Sequence, residues 1–267
     1  MSDPGTEPRV FTNRFADAVG ASGAEPDRDR CRCVGYPSAT RPADVAFHSE
    51  TQDTESPGWR HLLMLIDEAA ADGRTIFKPF VELSAAERRQ IVTLPPSIAK
   101  LTEVKHLVLY GTNLVRLPPE VGAMAALEMF EPYTSHRLHW YPYELTRCTR
   151  LRDSTVSTRT LYGNFKFRPP FPKLRPATAV ADVDLNRLDP GTWGAGKAVT
   201  CSVCNSPIDD ELHQAWISLA VATDVLPLLV NACSAACVTA LPTPRAGYVA
   251  TPHTGGPDLV QPTTGRR

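Results

Sequence analysis

The chain has 267 residues, 42 % of them hydrophobic, which is enough for one or two folded domains. A formal net charge of −1 gives no overall attraction to nucleic acid or to membranes. The longest apolar run, residues 226–230, is far shorter than the ~20 residues of a membrane span. Residues 1–5 do not resemble a signal peptide, so we expect a cytoplasmic protein whose seven cysteines are reduced or metal-bound.

The N-terminal segment, residues 1–55, is rich in Pro, Gly, Ser, Asp and Arg and has little periodicity. We predict that most of it is disordered, with a short helix near residues 11–19. Cys31 and Cys33 could supply half of a metal site. Their flanking arginines and the lack of a nearby second pair favour a solvent-exposed loop instead.

Two helices are predicted in residues 56–90. The first begins at Ser56 and Pro57, an N-cap followed by proline at the first helical position, and ends at Gly73. The second opens with Ser84 and Glu87 at the spacing of a capping box. We expect both to cover one end of the repeats that follow, because a pair this short buries too little apolar surface to form an independent domain.

A sequence repeat occupies residues 91–174. The segments LPPSIAKL (94–101) and LPPEVGAM (117–124) start 23 residues apart, and apolar residues recur at nearly every third position between them. This period is the mark of a leucine-rich repeat. The pattern predicts a strand at residues 105–110, looser units after it, and three to four strands in all, the first from residues 90–93.

Residues 91–161 resemble the leucine-rich repeat family, in the bacterial and intracellular class whose units end Leu-Pro-x-x-Ile. The resemblance is most specific over residues 94–145, and it departs from the family at Thr112, where an asparagine is usual. It implies an α/β fold, a short solenoid with a parallel sheet on its concave side, and protein recognition as the usual role.

Strand alternation predicts which side chains of the repeats point away from the core. Tyrosine and methionine, which are common at recognition surfaces, are among them. The predicted partner-binding face consists of His106, Val108, Tyr110, Met129, Glu131, Tyr133, Asp153, Thr155 and Ser157.

A proline- and glycine-rich linker at residues 175–199 leads to two cysteine pairs. Cys201 and Cys204 form the first, and Cys233 and Cys237 form the second, with 28 residues between the pairs. Four thiolates complete the tetrahedral coordination of Zn²⁺ and leave no position for a reactive water, so we predict a structural rather than a catalytic zinc unit over residues 200–242. The alternative is four buried or free cysteines.

The predicted order of knuckle, two strands and short helix resembles the treble-clef zinc fold. The Cys-Ser-x-x-Cys segment at Cys233 is similar to the start of the helix in MYM/TRASH-type fingers. Residues 198–244 contain no Lys or Arg, so the zinc unit is not expected to bind nucleic acid, which requires cations. His213 lacks a ligand spacing, and residues 243–267 are predicted to be a disordered tail.

One stretch is strongly basic. Residues 137–173 carry eight Lys or Arg against two acidic residues, with aromatic residues interleaved. Such a stretch can bind RNA or an acidic partner, or its charges can coat a solvated face while the rings fill irregular parts of the core. The candidates for an acidic ligand are Arg150, Arg152, Arg159, Lys166 and Arg168.

The sequence is consistent with three functional hypotheses. The leading hypothesis is a non-enzymatic scaffold that binds another protein and contains structural Zn²⁺. The second is a binder of RNA or an acidic partner. The third, a small enzyme, could use His136 and His139 with Glu131 or Asp153, but no nucleophile motif or phosphate loop accompanies them. We therefore predict no catalytic activity.

Overall fold

A computed structural model of the chain describes residues 45–48, 50–174, 200–208 and 212–263. The predicted helix at residues 11–19, the Cys31–Cys33 pair and the linker at 175–199 lie outside this part. The elements are helix α1 (Pro57–Asp72), strand β1 (Ile76–Phe77), helix α2 (Ala85–Gln90), strands β2 (His106–Val108), β3 (Met129–Glu131), β4 (Tyr141–Pro142), β5 (Asp153–Ser154), β6 (His213–Val221) and β7 (Asp224–Ala232), and helix α3 (Ala235–Thr239). No helix among these residues is long and apolar enough to cross a membrane.

Helices α1 and α2 pack together at the N-terminal end. Helix α1 ends at Gly73, whose φ of 65° is the left-handed conformation that glycine adopts without strain. In α2 the capping box forms: the Glu87 amide donates to Ser84 Oγ over 3.3 Å, and the Ser84 amide donates to Glu87 Oε2 over 2.7 Å. A Cβ atom at Gly58 would lie 2.6 Å from the Glu87 carbonyl oxygen, so glycine permits this close approach of the two helices.

The main sheet has four parallel strands in the order β1-β2-β3-β5. Its register aligns His106 with Met129 and Met129 with Asp153, which are 23 and 24 residues apart. Short 3₁₀ helices return the chain between strands at Pro96–Lys100, Pro119–Ala123 and Tyr143–Arg147. Two of them begin with the second proline of a Leu-Pro-Pro motif, where the missing N–H costs no hydrogen bond. The predicted mixed α/β fold with a parallel sheet is therefore confirmed.

One apolar cluster runs from α1 through the main sheet to the β6–β7 hairpin. Phe77, Leu107 and Phe130 are aligned on neighbouring strands and fully buried at its centre. The next aligned position is Ser154, a polar residue at a core position. Its hydroxyl donates to Asp224 Oδ2 over 2.9 Å at the turn of the hairpin, so its hydrogen-bonding capacity is satisfied.

The prediction that residues 90–93 form the first strand is wrong. Residues 90–93 are not a strand, and β1 (Ile76–Phe77) pairs with β2 instead. The Val115 amide donates to the Val92 carbonyl over 2.9 Å, which places residues 90–93 beside the segment that follows β2. A strand one period before β2 would overlap the start of α2, so the chain uses an earlier pair of residues.

The prediction of a disordered tail from residue 243 is wrong for residues 243–263. His253 forms an antiparallel bridge with Trp216 on β6, with N–O distances of 2.8 and 3.1 Å. The Arg245 amide donates to the Ser218 carbonyl over 2.8 Å, and the Leu174 amide donates to the Thr254 carbonyl over 2.7 Å. Composition alone misses this order, because it arises from backbone pairing with a strand edge.

The described end of the N-terminal segment, residues 45–48 and 50–55, packs on the rest of the fold, whereas residues 1–44 of the segment predicted to be mostly disordered lie outside the described part. Phe47 stacks on Trp216 at a centroid distance of 5.5 Å and meets Trp140 edge-on at 5.9 Å. The side-chain amide of Gln52 donates from Nε2 to the backbone carbonyl of Gln90 over 2.9 Å. These contacts place Phe47 against the aromatic rings of Trp140 and Trp216, and Gln52 against the end of α2.

Candidate metal centre and open sheet face

The four predicted cysteine ligands come together. The Sγ atoms of Cys201, Cys204, Cys233 and Cys237 all lie within 4.8 Å of one another. The Cys204–Cys233 and Cys233–Cys237 Sγ distances are 3.5 and 3.7 Å. A tetrahedral ion with metal–sulfur bonds of ~2.3 Å separates its ligands by roughly 3.8 Å. The donor set therefore fits a tetrahedral metal ion.

Local backbone geometry positions these sulfurs. Cys201 is fully buried, and its Sγ accepts from the amides of Val203, Cys204 and Cys233 at 3.4, 3.5 and 3.4 Å. On the other side, the hydroxyl of Ser234, the N-cap of α3, accepts from the Cys237 amide over 3.2 Å. The first pair is thus held by a tight turn and the second by the start of a helix.

The pKa values of two of the cysteines, Cys204 and Cys233, are shifted in opposite directions. Hydrogen bonds from Ser206 lower the pKa of Cys204 to about 6. Hydrogen bonding with the Cys204 sulfur raises the pKa of Cys233 to about 12. Four close thiols cannot all ionise together, because each new thiolate repels the others. A bound cation removes this penalty, so metal binding would release protons from the cluster.

The cysteine unit is joined to the repeats. Strand β7 pairs in parallel with β4, so the second sheet has the order β4-β7-β6. Arg147, at the end of a repeat's 3₁₀ helix, donates from Nη2 to the carbonyls of Cys201 and Ser202 at 3.3 and 3.0 Å. At the turn of the hairpin, the Thr223 hydroxyl donates to the Ser154 carbonyl over 2.7 Å. The hairpin therefore covers β5, the last strand of the main sheet.

The nine residues of the predicted partner-binding face lie on and just after β2, β3 and β5, and none of them is buried. We call this surface, together with Ile76, the open sheet face. Its most exposed large apolar side chains are Ile76, Met129 and Tyr133, with exposed fractions of 52, 38 and 45 %. Sequence reasoning missed Ile76 because β1 is only two residues long and carries no periodic pattern.

Polar contacts organise this face and the turn beneath it. His106 Nε2 and Glu131 Oε2 lie 3.1 Å apart, and the rings of Tyr110 and Tyr133 are 6.0 Å apart. In the turn after β2, the Thr112 amide donates to Ser135 Oγ over 3.1 Å. Ser135 Oγ in turn donates to the carbonyl of Leu109 over 2.8 Å. The Ser135 hydroxyl thus links successive turns.

The five basic candidates differ in their surroundings. Arg168 donates to the carbonyls of Gly163 and Gly247 at 3.0 and 2.6 Å, so it helps to hold the C-terminal segment. Arg152 is ion-paired with Glu128 at 2.6 Å, and the Lys166 ammonium lies 5.6 Å from the Phe165 ring. Arg150 and Arg159 are exposed. Several of the interleaved rings, among them Trp140 and Tyr162, belong to a buried cluster.

His139 and Glu131, two of the residues considered for an acid–base set, form hydrogen bonds with other groups. His139 is buried, with its Nδ1 2.7 Å from the Thr160 carbonyl and its Nε2 3.3 Å from His48 Nε2. Burial lowers the pKa of His139 to about 3, so the ring stays neutral near pH 7. Glu131 contacts His106 instead, and His136 is exposed.

A scan against protein-family models and a search of curated proteins found no match to this chain. The 23-residue spacing of the Leu-Pro-Pro motifs equals the register between β2 and β3. A β-hairpin lies between the two pairs of clustered cysteines.

Proposed function

We propose that this chain is a non-enzymatic scaffold that binds another protein on its open sheet face. One observation supports this most strongly: Met129 and Tyr133 remain exposed in a sheet whose opposite face is buried throughout. Exposed methionine and tyrosine on a rigid sheet are typical of recognition surfaces. In this proposal the repeats form a short leucine-rich solenoid, with α1 and α2 covering its first end.

The second end is closed by a treble-clef-like unit that holds structural zinc. Four thiolates select a soft tetrahedral ion, and Zn²⁺ is the common ion of structural four-cysteine sites. A closed sulfur shell leaves no position for substrate, so the ion serves to hold the hairpin against the repeats. The contact of Arg147 with the Cys201 carbonyl supports this role.

Photo-crosslinking tests the interaction proposal. A benzophenone amino acid at Tyr133 on the open sheet face is compared with the same group at Glu103, which is exposed but precedes β2. In extract of the source cells, we expect one discrete protein adduct from position 133, lost in a Met129→Arg variant, and none from position 103. Identical adducts from both positions, or none from either, would refute a partner on this face.

The second candidate function is binding of RNA or an acidic partner through the basic stretch. The exposure of Arg150 and Arg159 favours it. Phosphate contacts make such binding fall steeply as salt rises. Fluorescence anisotropy titrations with labelled single-stranded RNA at about 50 and 200 mM salt measure how much Kd rises with salt. An Arg150→Gln/Arg159→Gln variant that binds RNA as the wild type does would remove the candidate.

A further inference from the structure

The open sheet face is small. Four strands spaced ~4.8 Å apart give a width of about 14 Å. Along β2, residues 106–110 extend over about 13 Å at ~3.3 Å per residue. The resulting area is several-fold below the roughly 800 Å² that each partner buries in a stable complex of folded proteins. An extended segment of about four or five residues, at ~3.3 Å each, would span the four strands.

The apolar side chains of this face lie in line across the strands. Ile76 is aligned with His106, and His106 is aligned with Met129. Ile76 and Met129 are thus separated by one strand, with the imidazole of His106 between them. A ligand crossing the sheet would cover both, which requires at least one apolar side chain in the ligand.

Charge is unevenly distributed across the same strands. Asp153 on β5 is exposed, and Glu131 on β3 is half-exposed, so two carboxylates lie on this side of the sheet. On the opposite side, Lys78 directly follows β1 and is exposed. The bordering cations Arg152 and Lys105 share one carboxylate, Glu128, at 2.6 and 3.9 Å, so these three groups carry a net charge of +1 against the −2 of Asp153 and Glu131. The β3–β5 side is therefore complementary to a cation.

We propose that the open sheet face binds a short extended segment of its partner that carries an apolar residue and a neighbouring Lys or Arg. The apolar side chain covers Met129, the segment continues past His106 to Ile76, and the basic side chain faces Asp153 and Glu131. This inference rests on the proposed function and gives it a ligand chemistry. It differs from the second candidate function, in which the ligand is acidic and contacts Arg150 and Arg159.

A displayed library of random seven-residue peptides, selected against the full-length zinc-loaded protein, tests this. We expect an enriched consensus that pairs a large apolar residue with Lys or Arg. In anisotropy with the synthetic consensus peptide, Met129→Ala should weaken binding about tenfold. Asp153→Asn should weaken it roughly two- to fivefold, an effect that high salt reduces. Glu103→Gln, an equal change of charge away from the face, should leave Kd unchanged.

Several outcomes would overturn the inference. One is an acidic consensus, and another is a peptide whose Kd is the same for the wild type, Met129→Ala and Asp153→Asn. Failure to enrich any peptide would also overturn it, because a short segment would then not suffice. In each case the scaffold proposal survives if Tyr133 still crosslinks to a protein. Thermal unfolding of every variant shows that the fold is intact, so an altered Kd reports on the face itself.

Discussion

Removing the metal should destabilise the repeats as well as the cysteine unit. The perturbation is a Cys204→Ala variant, which deletes the most exposed ligand of the cluster. Zinc contributes about 10–16 kcal/mol to the folding of isolated zinc-finger peptides, as much as the whole stability of an ordinary domain. Without it we expect the hairpin to detach from the main sheet.

The magnitude follows from what the hairpin buries. Leu226, Leu228 and Val230 of β7 are fully buried in the cluster that also contains the repeat leucines. Each such side chain contributes about 1.5–3 kcal/mol, so their exposure costs at most about 5–9 kcal/mol. At about 2–4 °C per kcal/mol for a domain of this size, this maximum corresponds to a fall in Tm of up to about 10–35 °C.

Three measurements check this prediction. Elemental analysis should find one zinc per wild-type chain and none in Cys204→Ala. Calorimetry gives the fall in Tm, and amide hydrogen exchange shows whether β2 and β3 lose protection. Cys148→Ala is the matched control, because Cys148 is a buried cysteine of the repeats outside the cluster. An unchanged Tm and unchanged protection in zinc-free protein would refute the coupling.

Three further predictions concern stability. Burial lowers the pKa of His139 to about 3 and that of His253 to about 4, so both rings must be neutral in the folded chain. The contribution of these neutral rings to the free energy of unfolding is complete above ~6.5, the histidine pKa in the unfolded chain. It is lost as pH falls from there towards 4, and the loss is about 2 kcal/mol per histidine at pH 5. Calorimetry at pH 7.5 and 5 measures this, with zinc content verified at each pH, and an unchanged stability would contradict it. Gly122→Ala should cost about 1–3 kcal/mol in urea unfolding, because its Cβ would lie 2.8 Å from Glu144 Cβ in the next unit. A Cβ atom at Gly73 would have no atom within 4 Å, so Gly73→Ala should cost only the ~1 kcal/mol of an alanine in the left-handed conformation. Equal losses of unfolding free energy in the two variants would argue against the close contact between Gly122 and Glu144. Ser135→Ala removes the acceptor of the buried Thr112 amide and should cost about 1–3 kcal/mol by the same assay, whereas a neutral effect would show that the hydroxyl link is dispensable.

Local signals in the sequence predicted the elements that depend on neighbouring residues. The capping box at Ser84, and Pro57 and Gly73 at the two ends of α1, act within a few residues, and both helices form where these signals indicate. The cysteine cluster was also predictable, because the Cys201–Cys204 and Cys233–Cys237 pairs each have ligand spacing.

Elements that depend on distant pairing were not predictable in this way. Strand β1 has two residues, and only its pairing with β2 distinguishes it from a loop. The order of residues 243–263 arises from the His253–Trp216 bridge, which composition does not reveal. The same limit applies to Phe47, whose contact with Trp216 joins parts of the chain separated by 169 positions.

The pairing of β4 with β7 also constrains how the protein is made. Tyr141 is aligned with Leu228, 87 residues later, and β6 then pairs with the segment at His253. Contacts so distant in sequence form slowly, and during synthesis they cannot form until the later residues have emerged from the ribosome. The nascent repeats would present an uncovered β5 edge throughout that interval.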